Sequence, residues 1–256
     1  MKYAGVVAYC GAAYHGLERQ PNLPTVQGEI ETQLSFLCGE AISIKVSGRT
    51  DAGVSALRQI ISFVPSKEIS DLKAFVFALN RLLPRDIEFL KIVPIGEEFD
   101  PRHSCDGKRY EYRFSYGSKC PFSTHVLAYF GNRDDFDAKR FQEAIACFEG
   151  EHWFANFTTK EEDKDGFIRN VHIECCQIDE EQRLGVVRFS GNGFMTYMVR
   201  FLVGAAFKAA LHKIDLEFIK NRLLPGKRQI VSFKAPPEGL TLIEVLYHEP
   251  YQSQLS

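Results

Sequence analysis

The chain has 256 residues, of which 45% are hydrophobic and 25% are charged, and its formal net charge is −2. This length and composition predict a globular protein with a substantial core, built as one large domain or as two closely packed ones. The charge excludes a uniformly basic nucleic-acid-binding chain, although one basic face would be enough for binding.

The predicted elements begin with a short apolar strand and not with a secretory signal, so we expect a cytoplasmic protein. Eight segments alternate in polarity or are rich in β-branched residues, which predicts strands over residues 3–9, 42–46, 58–64, 87–93, 109–116, 171–178, 186–190 and 242–248. Between them, helical spacing of apolar residues predicts five helices that open at Thr25, Ser70, Asp137, Phe194 and Asp215. The second is expected to stop at Pro84 and the third at Gly150. Because strands and helices intermingle without strict alternation, we predict an α+β fold with a mostly antiparallel sheet.

Several classes of site are disfavoured by the residue pattern. The fourth helical segment is interrupted by Arg200 and Lys208, so it predicts a buried helix and not a membrane span. Seven cysteines without CxxC spacing predict reduced thiols, and seven scattered histidines form no metal-binding motif. We therefore predict no metal and no contact with a membrane.

The stretch SGRTDAGVSALRQ, residues 47–59, places Asp51 on the loop that leaves a predicted strand, with a glycine on either side. Rigid scaffolds often hold functional residues on such loops, and glycines allow a ligand to approach the backbone closely. Alone, Asp-Ala-Gly is more typical of a turn than of a nucleophile. The stretch has no duplicate that would complete an aspartic-protease dyad, and Gly53 stands where a phosphatase usually carries its magnesium-binding carboxylate. A glycosidase needs a second acid, which the sequence does not place beside Asp51.

Two further segments carry candidate functional residues. Residues 108–116 alternate aromatic and polar side chains behind Lys108 and Arg109, which favours a core-facing strand but also fits a platform on which a nucleobase stacks. Arg200 lies in the apolar helix, where an unpaired guanidinium is costly, so it requires an exposed edge or a carboxylate such as Asp51.

Taken together, six segments resemble the tRNA pseudouridine synthase A family, in the family's order and over essentially the whole chain. They are residues 9–20 with 25–34, 47–56, 99–112, 151–157, 191–204 and 239–248. The resemblance implies two similar α/β halves around a central, mostly antiparallel sheet with an RNA-binding cleft between them. We expect residues 1–104 to form the half with the aspartate loop and residues 105–256 to form the half with the base-stacking strand and the Arg200 helix.

The resemblance also implies the activity: isomerisation of uridine to pseudouridine at positions 38 to 40 of the tRNA anticodon stem-loop, by a homodimer that needs no cofactor. Asp51 matches the catalytic aspartate that attacks a flipped-out uridine, Tyr110 matches the tyrosine that stacks on the uracil, and Arg200 matches the basic partner of the aspartate. Arg49 matches the arginine linked to extrusion of the target base. Further candidate RNA contacts are Arg19, Gln20, Arg58, Arg102, Lys108 and Arg109. The order of the bond-making steps stays open at this stage.

The sequence departs from the family pattern at four places, Cys10, Leu17, Ser55 and Asp100. The loss of a cation at residue 55 and the gain of a carboxylate at residue 100 are expected to affect which tRNAs bind. Two alternatives to an anticodon-arm synthase stay open: an RNA-binding or RNA-folding protein that kept the cleft, and a synthase that acts on another structured RNA.

Overall fold

The computed structural model describes all 256 residues, Met1 to Ser256. Its ten strands are β1 Lys2–Tyr9, β2 Lys45–Val46, β3 Ser55–Phe63, β4 Ile87–Ile95, β5 Cys105–Ser115, β6 Ala128–Tyr129, β7 Gly150–Trp153, β8 Ile168–Asp179, β9 Leu184–Gly191 and β10 Leu240–Tyr247. Its six α-helices are α1 Val26–Cys38, α2 Leu72–Leu82, α3 Ala138–Ala146, α4 Met198–Ala210, α5 Leu216–Arg222 and α6 Tyr251–Leu255.

The chain divides into two compact units, and the first comprises residues 1–106 together with 241–256. Within it β1 pairs antiparallel with both β3 and β4, and the short β2 lies antiparallel along β3. β10 pairs in parallel with β3, through Thr241 opposite Ser55 and Leu242 opposite Ala56. Residues 241–256 belong to the first unit, whereas the sequence analysis assigned them to the second half.

The second unit, residues 107–240, is an antiparallel sheet in the order β5, β9, β8, β7, with β6 parallel to β5 at its edge. The even-numbered aromatic residues of β5 face the core: Tyr112 and Phe114 are fully buried, and Phe114 packs 5.0 Å from Phe141 of α3. The ring of Phe207 in α4 stacks on Phe130 at 4.0 Å. The predicted mixed α/β architecture with a mostly antiparallel sheet is therefore confirmed.

All eight predicted strands are present, and the two that were missed, β6 and β7, are only two and four residues long. Such short strands carry too little alternation to be detected in a sequence. At the helix starts, the side chains of Thr25, Asp137 and Asp215 each accept a hydrogen bond from the amide three residues on, as capping residues do.

Three predicted helix limits were wrong. Asp71, and not Ser70, caps α2 by accepting a hydrogen bond from the Ala74 amide at 2.9 Å. α3 ends at Ala146, before the Gly150 that opens β7. α4 begins at Met198 and not near Phe194, because Tyr197 adopts the left-handed conformation with φ 61° and interrupts the helical backbone.

Candidate active site

The loop that carries Asp51 joins β2 to β3 and is tied to the first unit by its backbone. The Ser47 amide donates to the Ile60 carbonyl at 2.9 Å, and the Leu17 amide donates to the Thr50 carbonyl at 3.1 Å. A turn is closed by the Val54 amide, which donates to the Asp51 carbonyl at 3.1 Å. Asp51 itself is half-buried. Backbone hydrogen bonds at Thr50 and at Val54 hold the chain just before and just after it.

Side-chain hydrogen bonds from two buried residues, Tyr9 and Gln59, also hold this loop. Gln59, which is fully buried on β3, accepts from the Ser47 hydroxyl at 2.5 Å and donates to the Gly48 carbonyl at 3.0 Å. The Tyr9 hydroxyl, at the end of β1, lies 2.7 Å from Thr50 Oγ1. Burial raises the pKa of Tyr9 to about 12, against the opposing hydrogen bonds from Thr50 and Gln59, so the phenol stays neutral at pH 7.

Residues 11–16 pack directly against the loop, and two of their glycines are required by this contact. A Cβ on Gly11 would lie 2.1 Å from the Val54 carbonyl oxygen, so only glycine fits there. Gly16 has φ +98°, and a Cβ on it would lie 3.0 Å from the Thr50 carbonyl oxygen. These close contacts make residues 11–16 and the Asp51 loop one packed assembly.

Arg49 projects from the loop with about two thirds of its side chain exposed, and its Nη2 lies 2.8 Å from Glu18 Oε1. Glu18 belongs to the segment in which the sequence departs from the family pattern at Leu17. Because the pair is exposed, it contributes only about 0–1 kcal/mol to stability, and an RNA phosphate can compete for the guanidinium at low cost.

Three of the other four candidate RNA contacts of the first unit, Arg19, Gln20 and Arg58, have side-chain partners within the protein. Arg19 lies 3.4 Å from Glu31, and the Gln20 amide donates to the His15 carbonyl at 2.6 Å. Arg58 donates to the Leu255 carbonyl at 2.6 Å and so fastens α6. Arg102 is exposed. Their contacts with RNA stay predictions, and Arg58 has a structural role in addition.

Two of the sequence departures have a structural explanation. Ser55 is buried, and its hydroxyl accepts a hydrogen bond from the Gly11 amide at 3.1 Å, so position 55 joins the loop to the packed glycine segment. Asp100 accepts from Lys45 Nζ at 3.0 Å and from the amides of Arg102 and His103. Partial burial would raise the pKa of Asp100, but these hydrogen bonds outweigh it and lower the pKa to about 2.

In the second unit, Tyr110 lies on β5 opposite Phe189 of β9, and it is 7% exposed. Its ring packs edge-to-face with Phe194, with the ring centroids 5.2 Å apart and the two ring planes at 82°. Lys108 and Arg109 precede it on the strand, and Arg109 Nε donates to Glu174 Oε1 at 2.7 Å. The edge-to-face packing restrains the plane of the Tyr110 ring.

Arg200 lies in the first turn of α4 and is 7% exposed, as expected for a guanidinium held by partners. Its Nε donates to the Ala235 carbonyl at 2.8 Å, while the Ala235 amide donates to the Arg200 carbonyl at 2.9 Å. The segment 229–236, which we call the strap, therefore runs along the turn of α4 that carries Arg200. The pairing of Arg200 with Asp51 would join residues of the two units and stays a prediction.

The sequence analysis did not identify Tyr9 and Gln59, two of the side chains that hold the Asp51 loop. A signal was present for Gln59, because it is the one amide in the apolar run QIISF directly after the loop. A polar residue at a buried strand position is usually there to satisfy a buried backbone group, which is its function here.

Comparison with known proteins gives a match over nearly the whole chain. A family model described as tRNA pseudouridine synthase matches residues 144–248. A tRNA pseudouridine synthase A of Streptococcus pneumoniae is 34% identical over 250 residues, which cover 97% of this chain and 99% of the relative. The tRNA pseudouridine synthases A of Lactococcus lactis and Listeria welshimeri are 34% and 35% identical, over 97% and 96% of this chain and 98% and 99% of theirs.

The chain belongs to the tRNA pseudouridine synthase A family. It is accordingly an isomerase that converts uridine to pseudouridine in tRNA, and the family resemblance seen in the sequence is confirmed. None of the helices of this family member is both long enough and apolar enough to cross a membrane.

Proposed function

We propose that this enzyme isomerises uridines at positions 38 to 40 of the tRNA anticodon stem-loop, with Asp51 as the nucleophile. The observation that carries the proposal is the loop of residues 47–55, whose backbone and side-chain bonds to Leu17, Ile60, Tyr9 and Gln59 immobilise the aspartate. A nucleophile that is held before substrate arrives loses little entropy at the moment of attack. The family membership supplies the reaction.

The chemistry assigned to these residues balances without an oxidant, a reductant or a cofactor. Asp51 attacks the nucleoside, the bond between N1 of uracil and C1′ of ribose breaks, and a bond between C5 and C1′ forms. The proton on C5 is lost, N1 gains a proton, and the carboxylate is released. We assign to Arg200 the role of keeping the carboxylate ionised, because a nearby cation favours the charged form.

A base in a stem is out of reach until it leaves the stack, at a cost of a few kcal/mol. Tyr110 is proposed to offset part of that cost, because stacking on an aromatic ring stabilises an unstacked base by roughly 1–3 kcal/mol. Arg49 is proposed to promote extrusion of the base, for which its exposed guanidinium is suited. Arg19, Gln20, Arg58, Arg102, Lys108 and Arg109 are proposed to contact the RNA around it.

We further propose that the enzyme is a cytoplasmic homodimer in which tRNA contacts both subunits. This assembly rests on the resemblance of the sequence to the family. Light scattering of the purified protein, alone and with tRNA, tests it directly, and a monomer at micromolar concentration in both samples would contradict it.

The test of the proposed function is pseudouridine formation in unmodified tRNA that carries uridines in the anticodon arm, mapped by mass spectrometry. We expect product with the wild type and at least a 10³-fold lower rate with Asp51→Asn, because the amide is not a nucleophile. Asp135→Asn makes the same chemical change at an exposed aspartate of the second unit and is expected to retain wild-type activity.

Each alternative has its own outcome in this experiment. Product with Asp51→Asn at the wild-type rate would overturn the assignment of the nucleophile. Tight tRNA binding by both proteins without product from either would favour an RNA-binding or RNA-folding role. Product in tRNA outside positions 38 to 40 would contradict the proposed sites of modification.

A further inference from the structure

Tyr197, directly before α4, has a backbone conformation that its side chain does not favour. Its φ of 61° and ψ of 3° lie in the left-handed region, which is rare for residues other than glycine and asparagine. The neighbouring backbone is held in place: the Thr158 hydroxyl donates to the Thr196 carbonyl at 2.9 Å, and the Phe201 amide donates to the Tyr197 carbonyl at 3.0 Å. Non-glycine residues in such conformations concentrate at functional sites.

The Tyr197 ring lies close to two cations. The guanidinium carbon of Arg200 is 5.3 Å from the ring centroid, and Lys234 Nζ of the strap is 3.8 Å from it. Both distances are within the range of a cation–π contact. A helical Tyr197 would direct its side chain elsewhere, so the left-handed backbone is the feature that brings the ring to Arg200.

The ring adds a restraint on Arg200 within the second unit. The bond from Arg200 Nε to the Ala235 carbonyl, at 2.8 Å, ties one edge of the guanidinium to the strap. The ring centroid 5.3 Å from the guanidinium carbon favours orientations in which the guanidinium faces the ring, because the positive group is attracted to the electron-rich face. The strap carbonyl and the ring are thus two of the groups that orient the guanidinium.

We propose that Tyr197 is a positioning residue, whose left-handed backbone and aromatic ring orient the Arg200 guanidinium for the isomerisation. The inference rests on the role of Arg200 in the proposed function. Its specific content is that the aromatic ring, and neither the phenol hydroxyl nor the stability of the fold, is what the reaction requires at this position.

The test compares Tyr197→Asn, which suits a left-handed backbone but has no ring, with Tyr197→Phe, which keeps the ring. We expect Tyr197→Asn to match or exceed the wild-type Tm while kcat falls about 10-fold and KM for tRNA stays within 2-fold. Tyr197→Phe should stay within 2-fold of wild type in both constants. His212→Asn is the matched control, because His212 also has a left-handed φ, 52°, just after the other end of α4.

A second readout does not depend on pseudouridine formation. The Tyr197 ring current should shift the NMR resonance of the Arg200 Nε proton, and that shift should be lost in Tyr197→Asn and retained in Tyr197→Phe. If Tyr197→Asn lowers Tm, Tyr197→Gly takes its place, because glycine reaches the left-handed region most freely.

The outcomes separate this inference from the proposed function. A wild-type kcat in the folded Tyr197→Asn or Tyr197→Gly protein, or an unchanged Arg200 resonance, would overturn the positioning role. Absence of product from the wild type would reject the proposed anticodon-arm substrate. In that case the Arg200 Nε proton resonance alone would test whether the Tyr197 ring orients the guanidinium.

Discussion

At the scale of single residues, Gln59 links the Asp51 loop to β3 through one buried side-chain amide. The amide satisfies the Ser47 hydroxyl and the Gly48 carbonyl, and its oxygen also lies 3.2 Å from the Ile60 amide. Leaving a buried polar group without a hydrogen-bond partner costs more free energy of folding than the original hydrogen bond contributed in net stability. The position of Asp51 therefore depends on a residue that takes no part in the chemistry.

We expect Gln59→Leu to destabilise the protein by about 1–3 kcal/mol, because the half-buried Gly48 carbonyl loses its donor and the buried Ser47 hydroxyl loses one of its partners. We also expect it to lower kcat for pseudouridine formation, because the loop before Asp51 is released. Thermal unfolding and single-turnover kinetics measure the two effects. Gln182→Leu, at an exposed glutamine, should change neither, and a Gln59→Leu enzyme with wild-type kcat would show that the loop does not need this anchor.

At the scale of elements, α4 and the strap form a close backbone contact on the turn that carries Arg200. Gly204 lies four residues after Arg200, on the same face of the helix, and a Cβ there would lie 1.7 Å from the Phe233 carbonyl oxygen. Lys208 contacts the Phe233 ring one turn further along, at 5.7 Å from its centroid. The glycine at the end of the MVRFLVG motif thus lets the strap reach the arginine.

Gly204→Ala should destabilise the protein by about 1–3 kcal/mol, as expected of an overpacked contact with backbone. The direction of the stability change is informative, because a Gly→Ala change in an unobstructed helix stabilises the protein by up to ~1 kcal/mol. Urea unfolding measures the difference. Gly226→Ala is the control, since a Cβ there meets no atom within 4 Å. Stabilisation by Gly204→Ala would contradict the close approach of the strap.

At the scale of the whole molecule, 31 basic and 33 acidic side chains nearly cancel, so binding of an RNA polyanion depends on where the basic groups lie. Several arginines are engaged by acids or carbonyls, as Arg58 and Arg109 are. Arg49 is the exposed cation nearest in sequence to the proposed nucleophile, and its partner Glu18 is itself half exposed.

We expect tRNA affinity to fall as salt rises from 50 to 200 mM, because phosphate contacts release counterions. Fluorescence anisotropy with the Asp51→Asn protein measures binding without turnover. Arg49→Gln should make the slope of log K against log salt shallower by roughly 0.7–0.9, the value for one phosphate contact. Arg133→Gln, at an exposed arginine of the second unit, should leave the slope unchanged. A salt-independent affinity would contradict a phosphate-binding surface.

The amino-acid sequence alone determined most element types and the family, and it predicted the residues of the candidate site. Periodicity located eight strands and the capped starts of three helices, because alternation and caps are local properties. The joint occurrence of the motifs around Asp51, Tyr110 and Arg200 identified the family, which a turn-like Asp-Ala-Gly could not do alone.

Only the tertiary structure decided which residues hold the site in place. Residues 241–256 belong to the first unit, where β10 pairs in parallel with β3, and no local pattern records a pairing between segments so far apart in the chain. The left-handed backbone of Tyr197 and the approach of the strap to Gly204 likewise depend on neighbours distant in sequence. Local sequence specifies backbone preference, whereas packing of remote segments selects the conformation that is kept.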